Sequence, residues 1–426
     1  MILSLKIKNF LSFKDEVEFS FEATKDKYLG NYHIVEVAKG VRIGKIGIVY
    51  GANASGKSNL IKAFEFIKSF WFNTTESKDY AIDVIPFLLD NDCKNKPSEF
   101  VLTFYTEGVK HIYTLKLTEK NVIEESLIYY TSARPSEIFS RQLIQNTSKI
   151  KFNSKLAINS VATNEIELKC LTNMSVFSAY SKVNISLPEM ERAILWMKDN
   201  FMPVVEPKTR LMNFVETLLM KDSTFKPYLL DFLKKADFNI CNVDTKKEKE
   251  PIPDGFWEFI ENNNDFPKEE KERLKNEKTI TVTETSFTHK VLNDLDNEAN
   301  YDLPESLQSE GTLRTMGLAG VINKAINKNA FLAIDEIESS LHPLLVEFII
   351  ENFLKQASNA QLLLTTHYDG LLESNDLLRN DNIWFTSKKK DGSTELFSLS
   401  DFNGVNRITS LKKAYKYGKF GAIPNI

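Results

Sequence analysis

"VYGANASGKSNLIKAF", residues 49–64, decides how the chain is read. Gly51 to Ser58 satisfies the pattern G-x-x-x-x-G-K-[ST] in full. Glycines at these positions let backbone N–H groups turn inward around an anion, and the start of a helix adds partial positive charge. The context supports the motif. "KIGIVYG" at 45–51 is a short β-branched run ending in glycine, and Leu60, Ile61, Phe64 and Ile67 then set a helical period. The order strand, glycine loop, helix is that of a loop holding a triphosphate, so ATP and Mg2+ are the expected cofactors. Asn53, Ala54, Ser55, Gly56, Lys57, Ser58 and Asn59 are its expected contacts. Lys57 reaches the β- and γ-phosphates in this reading, and the Ser58 hydroxyl ligates Mg2+.

Such a loop hydrolyses nothing unaided, so the remaining groups must come from elsewhere in the chain. "AFLAIDEIESSLHP", residues 330–343, runs from an apolar strand into an acid pair. Asp335 is placed to hold the metal, directly or through water, and Glu336 to orient or deprotonate the attacking water. "QLLLTTHYDG", 361–370, is a second apolar strand, ending at His367, whose imidazole would bond the γ-phosphate. His33, His111 and His289 have no such context and are expected to be ordinary core or surface residues. "LQSEGTLRTMGLAGVI", 307–322, opens an amphipathic helix at Ser309, Glu310, Gly311 and Thr312. Those four could form an anion site at a helix start, or Ser309 could simply cap the helix with Thr312 three residues on.

Composition bounds the possibilities. The chain has 426 residues, 42% hydrophobic and 26% charged, with a net charge of −4, so no global field draws it to DNA or anionic lipid. Cys93, Cys170 and Cys241 are far apart and without ligand-like spacing, which suits reduced thiols in a cytoplasmic protein. No uncharged apolar run approaches the ~18 residues of a membrane span, and the charged N-terminus is not a secretory signal.

Along the chain, residues 2–22 suggest a two-stranded hairpin, and 99–105, 111–118 and 122–131 an antiparallel sheet beside the nucleotide core. After Pro188, apolar residues recur at helical spacing up to Ala236, and 244–278 is dense in charges of both signs. The expected organisation is an N-terminal ATPase lobe (1–184), a helical insertion (185–278) with a solvated, partly flexible end, and a C-terminal ATPase lobe (279–426). "TITVTETSF" returns to strand within that last lobe.

Together the four pieces resemble the ATP-binding-cassette superfamily, in the branch of SMC and RecF-type heads. The resemblance covers about residues 1–130 and 280–426. It implies an α/β fold: an ABC-type P-loop NTPase head with an antiparallel β subdomain and a helical insertion. It also implies that Ser309, Glu310, Gly311 and Thr312 act in trans, on ATP bound by a second subunit, giving an ATP-sandwiched dimer or a higher assembly. Ser339 to His342 falls at the D-loop position, with His342 where an aspartate is usual. No glutamine lies between Asn59 and Gln142, so no Q-loop can be placed.

"NFLSFKDEVEFSF", "SEGTLRTMGLAG" and the tail "AYKYGKFGAIPNI" resemble a prokaryotic subgroup more narrowly. It holds the RloA- and AbiL-type ATPases and AriA of the PARIS anti-phage system. That resemblance implies a separately encoded effector, often a TOPRIM-type nuclease, controlled by this ATPase acting as sensor or scaffold. A RecF/SMC-like DNA-repair ATPase is the alternative, although the insertion allows only a short helical hairpin at ~1.5 Å per residue. Nucleic-acid contact stays open. Lys388–Lys390 suits a solvated hairpin turn, while Lys412, Lys413, Lys416 and Lys419 interleave with Tyr415, Tyr417 and Phe420 either as a stacking platform or as a helix docking its aromatics into the core.

Overall fold

Strand period decides the first unit. Strands β1 (Ile2–Lys8), β2 (Val17–Ser20), β3 (Ile34–Ala38), β4 (Val41–Gly44) and β5 (Ile46–Gly51) lead into the phosphate loop. After the helix Lys57–Phe72 come β6 (Ser98–Thr106), β7 (Val109–Leu117), β8 (Val122–Tyr130), β9 (Ser136–Ile144) and β10 (Thr147–Phe152). Seven of these ten form a sheet in the order β10-β9-β8-β7-β6-β1-β2, antiparallel throughout, while β3 pairs with β4. Its strands alternate: in β7, His111, Tyr113, Leu115 and Leu117 point inward while the residues between are half-buried. That is the pattern of a sheet with one covered face.

Between β10 and the C-terminal strands lies β11 (Ile240–Pro251), β12 (Thr279–Leu292) and β13 (Glu298–Pro304). Then β14 (Phe331–Ile334), β15 (Gln361–Thr366), β16 (Ile383–Lys388) and β17 (Thr394–Ser398) join β5 in a sheet ordered β14-β15-β5-β16-β17. Its first four strands are parallel and β17 is antiparallel. β5, β14 and β15 are buried at every residue, as strands covered on both faces must be. The computed structural model describes residues 1–156, 158–253, 255–258, 267–292, 297–374 and 376–423. Within it no helix is long and apolar enough to cross a membrane.

The helix Lys57–Phe72 is the filling between the two sheets. Phe64 faces Phe331 of β14 at 5.0 Å, while Trp71 meets Tyr113 of β7 at 4.9 Å and stacks on Phe177 at 3.8 Å. One apolar cluster therefore spans both sheets. Gln361 ties them with polar bonds as well: its amide accepts from Ile2 N at 2.5 Å and donates to Ile2 O at 2.9 Å. A buried ion pair, Arg141 to Glu125 at 3.1 Å, lies inside the antiparallel sheet. Glu125 also accepts from Val176 N and Tyr113 OH, so the charge is satisfied on several sides. Burial nevertheless raises its carboxyl, with Arg141 opposing that shift.

Contacts divide the chain into one unit of Met1–Thr209 with Lys324–Ile426 and another of Arg210–Asn323. This second unit begins and ends later than the expected insertion of 185–278. Met190, Ala193, Trp196 and Met197 belong to the core of the first unit. The chain after them bonds the edge of β14, Met202 N to Phe331 O and Val205 N to Ala333 O, both at 2.9 Å. At the far end, the "SEGT" helix Glu310–Lys328 begins in the second unit, not in the ATPase lobe. Gly317 there lets Leu211 approach, since a Cβ would sit 2.4 Å from the leucine's own.

The insertion is also not purely helical. Helices Met212–Lys221 and Phe225–Lys235 occur where the apolar spacing predicts them. The charged stretch from 244 to 251, expected as a flexible end, is instead strand β11 paired along its length with β12. Lys246 to Pro251 are exposed on both faces, so nothing apolar marks them as strand. Residues 254 and 259–266 of the same stretch, and 424–426 of the tail, lie outside the described residues.

His33 and His111 are buried, as expected of core residues, and burial pushes each imidazole down to about 4. The unfolded chain takes up these protons first. Their contribution to stability is therefore full above about pH 6.5 and is lost as pH falls toward about 4. At ~1.4 kcal/mol per pKa unit, each accounts for about 3 kcal/mol. The urea midpoint should fall between about pH 7.5 and pH 5, and His111→Phe, which keeps the stack on Phe104, should flatten that slope. An unchanged slope in the variant would refute the assignment.

Candidate functional site

The register of the parallel strands brings the pieces together. Ile334 pairs with Leu364, Thr366 with Tyr50 and Thr386 with Gly51, so β14, β15, β5 and β16 finish near one level. The residues that follow β14, β15 and β5 therefore leave the sheet on the same edge: Asp335, His367 and the glycine loop. Carboxyl ends of parallel strands are where such sheets bind ligands.

The loop itself is held from behind. Ala54 and Gly56 have φ of 58° and 104°, turning the backbone so that successive N–H groups can face an anion. Gly56 has no alternative: a Cβ would lie 2.2 Å from Thr394 Oγ1. That threonine donates to Ser55 O at 2.8 Å and shares a bond of 2.7 Å with Ser12 Oγ, while Ser55 Oγ and Thr386 Oγ1 share one of 2.6 Å. Asn59 Nδ2 donates to Ser12 Oγ at 2.8 Å. Asn53 and Ala54, at the loop's tip, are exposed. Lys57 folds over the loop, its Nζ donating to Gly51 O at 2.9 Å and Ala52 O at 3.1 Å. Burial pushes its ammonium down, and the charges of Glu336, Asp335 and Glu338 work against that shift.

Thr365 organises the acid pair. Its Oγ1 donates to Asp335 Oδ1 and accepts from Glu336 N at 2.8 Å. Glu336 takes a left-handed φ of 47°, a conformation that aims its side chain out of the strand's path. Glu336 Oε1 lies 3.8 Å from His367 Nε2, and both side chains are open to solvent. His367 N is held by Glu338. Lys57, Asp335, Glu336 and His367 thus gather at one edge. No cluster of three or more metal-ligating side chains occurs among the described residues. Mg2+ needs none, since it is held by one or two carboxylates with substrate phosphates and water, and the Ser58 hydroxyl with Asp335 suits that set.

Other expectations fare differently. Ser309 Oγ accepts from Thr312 N at 3.1 Å and bonds Thr312 Oγ1 at 2.8 Å, the geometry of a capped helix. Ser309 and Glu310 are exposed, Gly311 is half-buried and Thr312 buried. His342 Nδ1 accepts from Leu344 N at 3.3 Å, capping the helix Pro343–Gln356. Lys389 N bonds Ser393 O at 2.8 Å, so the lysine triplet is the hairpin turn between β16 and β17. In the tail, Tyr415 and Phe420 both stack on Phe385, at 5.7 Å and 5.1 Å, while Lys412 and Lys416 pair with Glu373 and Asp369. Tyr417 alone of the three aromatics is fully outside. A cavity of about 860 Å3 lined by Phe10, Phe66, Phe70 and Tyr80 contains no loop residue and is not the phosphate site.

Sequence reasoning did not single out Ser12, Thr365, Thr386, Thr394 and Glu338. The doubled threonine of "LLLTTH" was the only signal, since a polar pair ending a fully apolar strand has to find partners.

Strand, glycine loop and helix on a parallel sheet that delivers an acid pair and a histidine define an ABC-type P-loop NTPase head with an antiparallel subdomain. The chain belongs to the family described as "AAA domain, putative AbiEii toxin, Type IV TA system", which matches residues 47–168 and 214–373. No curated protein sequence matches it. Solved structures similar to it include the SMC head domain from Thermotoga maritima, 14% identical over 93% of this chain and 98% of that one, with a TM-score of 0.42. An SMC head bound to the C-winged helix domain of ScpA is 14% identical over 97% and 99%, with a TM-score of 0.42. An SMC head with extended coiled coil, bound to the C-terminal domain of ScpA from Pyrococcus furiosus, is 12% identical over 98% of each, at 0.39. Scores at this level do not decide a fold.

Two variants test the loop. Lys57→Ala removes the main cationic partner of the phosphates, and Gly56→Val drives a side chain into Thr394. Both should weaken binding of a fluorescent ATP analogue by at least ~10²-fold, with the melting temperature little changed in Lys57→Ala and lowered in Gly56→Val. Wild-type affinity in Lys57→Ala would remove the loop from the site.

Proposed function

We propose that the protein hydrolyses ATP and uses the ATP state to control a separately encoded effector, of which a TOPRIM-type nuclease is the leading candidate, in anti-phage defence in the cytoplasm. The observation that carries the chemistry is the convergence of Lys57, Asp335, Glu336 and His367 at the strand ends. In this reading Lys57 and the loop's N–H groups hold the β- and γ-phosphates. Ser58 and Asp335 would hold Mg2+, which when bound supplies charge neutralisation across the phosphates. Glu336 orients or deprotonates the attacking water, and His367 bonds the γ-phosphate and senses its loss.

The "SEGT" segment, Ser309 to Thr312, meets ATP on a second copy in this reading, so ATP joins two heads. An effector is part of the proposal because the site turns over nucleotide and no second catalytic constellation accompanies it among the described residues. The family's description, which names a toxin and a toxin–antitoxin system, agrees with a paired protein. A DNA-repair role is the second reading. The docked aromatics and ion-paired lysines of the tail count against a stacking platform for nucleic acid there.

Glu336→Gln should retain ATP binding and slow turnover by ~10²-fold or more. In that background, mass photometry should show an ATP-dependent dimer or larger species, and Ser309→Arg should abolish it without loss of nucleotide binding. A monomer with and without ATP would overturn the shared site. Co-purification of the adjacent gene product with wild-type but not Lys57→Ala protein, followed by phage challenge, tests the defence role. Tight binding to DNA ends with no protein partner would favour repair instead.

A further inference from the structure

The turn after β14 is fastened to the end of β15 by a series of hydrogen bonds. Thr365 Oγ1 donates to Asp335 and accepts from Glu336 N at 2.8 Å, and Ile337 N bonds Thr365 O at 3.1 Å. The outermost bond is His367 N to Glu338 Oε1. Among these bonds it is the one that reaches the histidine. Beyond it the chain turns away: Leu341 N bonds Glu338 O at 2.9 Å, and Ser340 takes a left-handed φ of 60°.

The second oxygen of the same carboxylate, Glu338 Oε2, is buried and has no hydrogen-bond partner in the protein. Leaving a buried acceptor unpaired costs ~1–3 kcal/mol, more for a charged group. Mere attachment of a loop would not require that, since serine or asparagine could accept the same N–H.

We propose that Glu338 is a positioning residue for the hydrolysis: one carboxylate oxygen holds the backbone at His367, setting the imidazole against Glu336, while the other stays an open acceptor in the same turn. The assignment depends on the ATPase reading above. It concerns a residue that touches neither phosphate nor water in that reading, and it makes the turn after β14, the base and the histidine one connected unit. Catalytic geometry is steep in distance: a misplacement of ~1 Å can cost ~10²-fold in rate.

Four measurements test it. Glu338→Ala should lower kcat for ATP by roughly 10²-fold with KM changed by less than about threefold, because the clamp orders the reacting groups and not the bound nucleotide. Glu338→Gln keeps an acceptor for His367 N and should lie within about tenfold of wild type. In a His367→Ala background, Glu338→Ala should add less than about threefold, since it acts through the histidine. Hydrogen–deuterium exchange over residues 365–369 should rise in Glu338→Ala and not in Glu338→Gln. Full multiplication of the two effects, a shift in KM instead of kcat, or unchanged exchange in Glu338→Ala would each overturn the proposal. A wild-type protein that hydrolyses no ATP would instead overturn the function, and the exchange comparison would still decide whether the clamp exists.

Discussion

The register between β14, β15 and β5 is the constraint on which the site depends. Side chains alternate along a strand, so a slip of one residue would turn Asp335 or Thr365 to the opposite face. These strands resist slipping because every residue in them is buried. Once β14 and β15 are level, Thr365 can bond both members of the acid pair, and His367 emerges within 3.8 Å of Glu336. The chemistry is thus placed by apolar packing that never touches a phosphate.

The same logic explains the fold around it. A helix that begins at a phosphate loop must be fixed at its start, yet it presents apolar residues along most of its circumference. Leu60, Ile61, Ala63, Phe64, Ile67, Phe70 and Trp71 are all buried. Covering them takes a sheet on each side, and the antiparallel sheet supplies the second cover. Gln361 then connects the sheets where backbone at Ile2 and Gly44 would otherwise lack partners. The antiparallel sheet's own buried ion pair has hydrogen bonds on both sides, the condition under which such a pair is tolerated away from water.

Much of this was legible in the residues. The helices at 212–221 and 225–235 and strands β6, β7 and β8 follow the apolar periods. What escaped had no period to read. β11 is exposed on both faces beyond Lys246, so its charges look like a solvated loop. The second unit's start at Arg210 could not be read for a related reason. Helix Pro188–Asp199 resembles its successors in pattern, and only its packing shows that it belongs with the first core. In the tail, alternating lysines and aromatics suit two opposite roles, and spacing cannot separate stacking on a base from stacking on Phe385.

By itself the sequence determined the phosphate loop, the apolar strands and the acid pair and histidine that end them. Each is a local pattern, set by what a glycine, a β-branched run or a carboxylate does within a few residues. Tertiary structure alone decided which distant groups serve the same point. Ser12, Thr386 and Thr394 back the loop from three separate segments, and Glu338 reaches the backbone of His367 across two strands. Single hydroxyls and carboxylates carry no period and form no motif. Their roles come from strand register, which is a property of the packed chain.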